Sequence, residues 1–119
     1  LEAFREDREK MNAKILDLDH LGIKRFFGLD SRTYRDEALT GKTKELLGLV
    51  ASAVLRCNDC IDYHLEQCAE AGWTKEELVD AMNVAMIAGG SIVIPHFRHA
   101  VKTMEYLEQE GSLQTSNSE

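Results

Sequence analysis

One stretch, residues 42–56, constrains the fold more than any other part of the chain. Leu46, Val50 and Ala53 fall at helical spacing on one face, and Leu47, Ala51 and Val54 on the next. After Glu45 the stretch carries no charge until Arg56. A helix apolar on nearly all sides is expected to be buried on more than one side. The rest of the chain agrees with a helical fold. Phe4, Met11, Ile15 and Leu18 draw a single apolar stripe over residues 2–19. Asn58–Ala71 reads as a helix, with Gly72 suited to its C′ position. Thr74-Lys75-Glu76-Glu77 is a capping-box pattern. It opens a third strong helix with Leu78, Met82, Ala85 and Met86 inward. Gly89-Gly90 should break or kink that helix. A last helix, with Val101, Met104 and Leu107 as its stripe, starts at Ser91 or Pro95 and runs to Glu110.

Two regions read differently. Residues 20–40 look irregular, with turns at Gly22 and at Gly28 to Ser31. Leu21, Ile23, Phe26, Phe27 and Leu29 are anchors there, and a short helix fits between. Residues 111–119 are Ser, Thr, Asn and Gln with one Leu, and should form a flexible tail. One proline and an aromatic content of 7% speak against an all-β sandwich. Only Ile92-Val93-Ile94 offers a strand signal. The expectation is an all-α fold, a single domain over residues 1–119.

Charge and cysteine usage narrow the function. Fourteen Lys+Arg against 21 Asp+Glu give a net charge of −7, which argues against nucleic acid or an anionic membrane as a partner. The longest charge-free run, Ala81 to Phe97, falls short of the roughly 20 apolar residues of a membrane span. The charged segment Leu1 to Lys10 does not read as a secretory signal. Three cysteines cannot all pair internally, which fits a reducing compartment and places the protein in the cytoplasm.

The chemistry concentrates in Arg56-Cys57-Asn58-Asp59-Cys60-Ile61-Asp62-Tyr63-His64, a C-x2-C-x3-H pattern on a helix with Glu45 twelve residues ahead of Cys57. Cys57, Cys60 and His64 follow one another by a turn each, and Cys68 continues the row. One turn brings the two Cα atoms to roughly 5–6 Å, the reach of a reversible disulfide. The helix start favours a thiolate. Arg56 adds to that effect, while Asp59 and Asp62 oppose it. A low-pKa thiolate beside a resolving cysteine reduces peroxides or exchanges disulfides. His64 stands where a general acid–base group is needed. Two other readings stay open: zinc ligation with Glu45 or Cys68 as fourth ligand, and cysteines buried in a helix core. Ile61 stands where a c-type haem site needs histidine.

Glu45-x11-Cys57-x2-Cys60-x3-His64, followed by Gly89-Gly90 in a long apolar stretch, resembles the AhpD-like alkylhydroperoxidase branch of the carboxymuconolactone decarboxylase family. The resemblance covers about residues 40–110. It implies a helical subunit whose central antiparallel helix hairpin carries the CxxC motif, assembled into trimers or hexamers without metal or organic cofactor. It also implies that Cys60 attacks the peroxide, Cys57 resolves the sulfenic acid, and His64 and Glu45 form a proton relay. The substrate would be a small hydroperoxide or disulfide, and the reductant an external dithiol, thioredoxin-like or lipoyl. The best-known members carry His where this chain has Asp59, and the lactone decarboxylases of the family lack the cysteine pair.

In such a hairpin Glu45 should lie nearer His64 and Cys68 than Cys57, so its route to the cysteines runs through His64 or water. Alternatively, Glu45 is a first-turn acid on a helix dipole. Cys68 reads as a buried structural thiol, His96 and His99 as satisfied interface histidines, and His20 as a loop residue without a role. The leading expectation is a thiol-dependent hydroperoxide reductase or disulfide oxidoreductase. A lactone decarboxylase using His64 and Glu45, or a zinc-binding or redox-sensing oligomer, are the alternatives.

Overall fold

The computed structural model describes residues 1–115. Six α-helices follow in order: α1 Glu2–Asp17, α2 Leu21–Thr33, α3 Gly41–Val54, α4 Asn58–Ala71, α5 Lys75–Gly89 and α6 Ile94–Gln109, with a short 3-10 turn, Ser91–Val93, before α6. There is no strand among the described residues, so Ile92-Val93-Ile94 is helical despite its β-branched residues. The fold is all-α. The chain forms two compact units that divide after Gly41.

The first unit is the helix pair α1 and α2, which pack on one another. Neither helix buries a residue. Within residues 20–40 only 34–40 are irregular as expected. The turns expected at Gly22 and at Gly28 to Ser31 need correction, because α2 runs unbroken from Leu21 to Thr33. Its start is set by His20, whose Nδ1 accepts the Ile23 N–H at 3.3 Å, so His20 is an N-cap and not a loop bystander. Neither Gly22 nor Gly28 adopts positive φ. Each costs helix propensity, about 1 kcal/mol relative to alanine, without forcing a turn.

The second unit holds the core. Leu49 and Ala53 of α3, Ile61 and Leu65 of α4, Leu78, Met82 and Ala85 of α5, and Ala100, Met104 and Leu107 of α6 are buried together with Val93. The inward residues Leu78, Met82, Ala85, Met104 and Leu107 were legible beforehand, but α3 needs correction. Of the two faces read there only Ala53 is buried, and the face that packs inward is Glu45, Leu49, Ser52 and Ala53. Leu47 and Leu55 remain 53% and 77% exposed in the single chain. Helix α4 packs most extensively against α6. Helices α3 and α4 form an antiparallel hairpin. Its open end is tied where Trp73 Nε1, just beyond α4, donates to the Lys42 carbonyl at 2.8 Å, with Lys42 Nζ 4.5 Å from the indole centroid.

Caps set the boundaries. Gly72, at φ 100°, ends α4 in the left-handed region, with Trp73 N–H returning to the Cys68 carbonyl at 3.0 Å. The Thr74–Glu77 capping box opens α5. It also lowers the Glu77 pKa, through hydrogen bonds from the Thr74 backbone and side chain. Beyond α6 the chain is not loose where it is described. Gly111, at φ 85°, turns it; Leu113 is buried at 3% exposure; and the Gln114 carbonyl accepts the Lys75 N–H at 2.8 Å, occupying an orphan donor of α5. The expected tail is thus anchored over 111–115, and residues 116–119 lie outside the described residues.

Candidate active site

The α3–α4 connection is three residues long and defined from both sides. Arg56 takes φ 61°, the left-handed position that usually goes to glycine at a helix end. Cys57 N–H returns to the Ser52 carbonyl at 3.0 Å. Cys57 is then the N-cap of α4, its Sγ accepting the Cys60 N–H at 3.2 Å. Cys57 and Cys60 are joined as a disulfide with Cα atoms 5.2 Å apart, the span one helical turn provides. Cys60 is exposed and Cys57 half-buried.

One turn further along α4, His64 is buried at 8% exposure, and its Nδ1 lies 2.8 Å from Glu45 Oε1. A carboxylate can only accept, so this contact puts a proton on Nδ1. The Tyr63 ring meets the His64 ring edge-on at 5.2 Å. Glu45 pairs with His64 and raises the Cys68 pKa electrostatically. It therefore lies where the hairpin geometry put it. Burial first, and the Glu45 charge second, push the Cys68 thiol up to about 12. That thiol stays protonated at neutral pH and is no nucleophile. Among the described residues no group of three or more His, Cys, Asp or Glu side chains is placed to hold a metal ion.

On the opposite side of α4 stands a second polar cluster. Asp62, 5% exposed, accepts from His99 Nε2 at 2.9 and 3.0 Å and from Thr103 Oγ1 at 2.5 Å. His96 Nδ1 meets Asn58 Oδ1 at 2.8 Å. Both histidines are thus held by α4 within the chain. Sequence reasoning treated Asp62 only as a charge near the cysteines. Its place on the face of Leu65 and Ala69, three and seven residues on, was the available sign of burial.

Residues 23–103 match the carboxymuconolactone decarboxylase family, and the chain belongs to that family. A crystal structure from Thermotoga maritima, described as a protein of this family with a suggested part in an antioxidative response, is 50% identical. It superposes with a TM-score of 0.85 over 92% of this chain and 96% of that one. An apo crystal structure of a family member from Legionella pneumophila is 25% identical, with a TM-score of 0.81 over 88% of this chain and 94% of that one. Uncharacterized protein 4 in the cox locus of Paracoccus denitrificans is 30% identical over 86 residues, 71% of this chain and 73% of that protein.

Proposed function

We propose that this chain is a thiol-dependent hydroperoxide reductase of the AhpD-like branch. The observation that carries the reading is the placement of a Cys57–Cys60 pair at the head of the helix that also carries His64, buried against Glu45 of α3. The antioxidative part suggested for the Thermotoga maritima relative supports it.

In the reduced protein His64 Nε2 takes the proton of the Cys60 thiol. The thiolate attacks the terminal oxygen of a hydroperoxide; an S–O bond forms as the O–O bond breaks. Sulfur gives two electrons, and the leaving alkoxide takes the proton back from His64 and departs as the alcohol. The Cys57 thiol then displaces water from the Cys60 sulfenic acid and closes the disulfide. An external dithiol, lipoyl or thioredoxin-like, reduces it and leaves as its own disulfide. The Glu45 carboxylate holds the His64 tautomer and stabilises the imidazolium between the two proton transfers. The open apolar side chains Leu47, Leu55 and Ile87, the last 82% exposed, support assembly into trimers or hexamers, which sedimentation would resolve.

Titrating the reduced protein with cumene hydroperoxide, and following intact mass, tests the reading. Rapid loss of two hydrogens mapping to Cys57–Cys60 is expected, abolished in Cys60→Ser, with a trappable sulfenate in Cys57→Ser. Thiols that stay free, or full activity in both variants, would overturn it. A lactone decarboxylase working through His64 and Glu45 alone would keep its activity after both substitutions.

A further inference from the structure

The His64 ring rests on bare backbone. A Cβ built on Gly48 of α3 would stand 2.6 Å from the ring's Cε1, 2.8 Å from Nδ1 and 2.9 Å from Nε2. No methyl carbon approaches a ring so closely, so the imidazole fills the space any other residue would need. Nothing else about Gly48 calls for glycine. Its φ is not positive, it lies in the interior of α3, and helix interiors favour alanine. Its carbonyl accepts the Ser52 hydroxyl at 2.6 Å, a bond open to any residue type. Gly28, also in a helix interior, has nothing within 4 Å of its would-be Cβ.

Glu45 and Gly48 are one turn apart on the same face of α3. The carboxylate holds the ring at Nδ1, while the missing side chain lets the Cε1 edge settle against the helix. We infer that Gly48 is a positioning residue for His64. Its lack of a Cβ allows the ring to reach Glu45 and fixes the plane in which Nε2 is presented. The inference builds on the acid–base role proposed for His64, yet the ring's placement can be measured without any turnover.

The test is Gly48→Ala beside Gly28→Ala. The ring is the movable partner, so the added methyl should swing it off α3 and break the Glu45 contact while the fold holds. The ¹⁵N shifts of His64 should lose the Nδ1-protonated signature and match those of Glu45→Ala, which removes the acceptor. Thiol oxidation by cumene hydroperoxide should slow roughly 10²-fold with a changed pH–rate profile, as expected when an acid–base group is displaced. Gly28→Ala should leave both readouts unchanged. An unaltered His64 signature in Gly48→Ala would overturn the inference. If no variant, nor the parent protein, consumes hydroperoxide, the peroxidase reading fails while the ¹⁵N result still decides the role of Gly48. Should Gly48→Ala not fold, Gly48→Ala combined with His64→Ala keeps the question open to experiment. With the ring gone the methyl has room, and the double variant should fold and melt no lower than His64→Ala alone. A lower melting temperature would show that the ring is not what requires glycine.

Discussion

Helix α4 is flanked by two carboxylate–imidazole pairs that differ in almost everything except composition. Asp62 is held by three hydrogen bonds from α6, two from His99 and one from Thr103. Glu45 meets His64 through a single oxygen, and the ring lies against bare α3 backbone. The parent positions on α4 are only two residues apart, which places them about 160° apart around the helix. The Asp62 cluster joins α4 to α6, the most extensive helix contact of the fold, and its acceptor capacity is largely consumed by structure. The Glu45 pair shares its side of α4 with both cysteines of the disulfide. Saturation makes a clamp, whereas a single carboxylate oxygen at Nδ1 orients the ring.

The sharpest way to break this contrast is Asp62→Ala, which strips His99 and Thr103 of their acceptor. Leaving buried donors without their acceptor costs about 1–3 kcal/mol, so denaturant unfolding should move by that amount. A loss below about 1 kcal/mol would remove the clamp from the argument. Glu45→Gln should show the reverse profile. Hydroperoxide-driven thiol oxidation is expected to slow roughly 10²-fold, with a stability change of only about 1 kcal/mol. Stopped-flow and chemical melts on the same preparation would check both. Thr103→Val should cost about 1 kcal/mol and leave thiol oxidation untouched, since it touches only the α6 side.

Cys68 adds a pH test on the α3 side. Its thiol pKa is raised in the folded chain from the ordinary 9.0 to about 12, so the native state favours the protonated form. That contribution to stability is complete below pH 9.0 and is lost as pH rises toward about 12. Unfolding midpoints should therefore fall across that range, and the fall should shrink in Glu45→Gln, which removes one cause of the shift. At neutral pH the reduced native protein should take up iodoacetamide at two cysteines, Cys57 and Cys60, with Cys68 labelled only after unfolding. Prompt labelling of all three would contradict the burial of Cys68.

The α4 and α5 boundaries were readable because their signals are local. Gly72 supplies the left-handed residue that closes α4, and Thr74 with Glu77 forms the box that opens α5. The Glu45–His64 meeting followed from hairpin register, since both residues count back to one short connection. Residues 21–33 were misread because glycine was taken as a breaker where the neighbouring residues sustain a helix and His20 caps it. The Asp62 cluster needed knowledge that no single segment contains. The His99 and Thr103 stripe on α6 is visible as a helix face, but its facing helix is chosen only by packing. Gly48 was equally silent, because nothing in sequence separates a glycine that makes room for a ring from one that fills no role.

The cap at Cys57 has a mechanical consequence. One turn of α4 already sets the 5.2 Å span between the Cys57 and Cys60 Cα atoms, and the backbone on either side is fixed by helix-end hydrogen bonds. Opening and closing the bond between the sulfurs therefore asks for no shift of the main chain. The reach between the two sulfurs is supplied by secondary structure alone, so no tertiary contact is needed to bring them together.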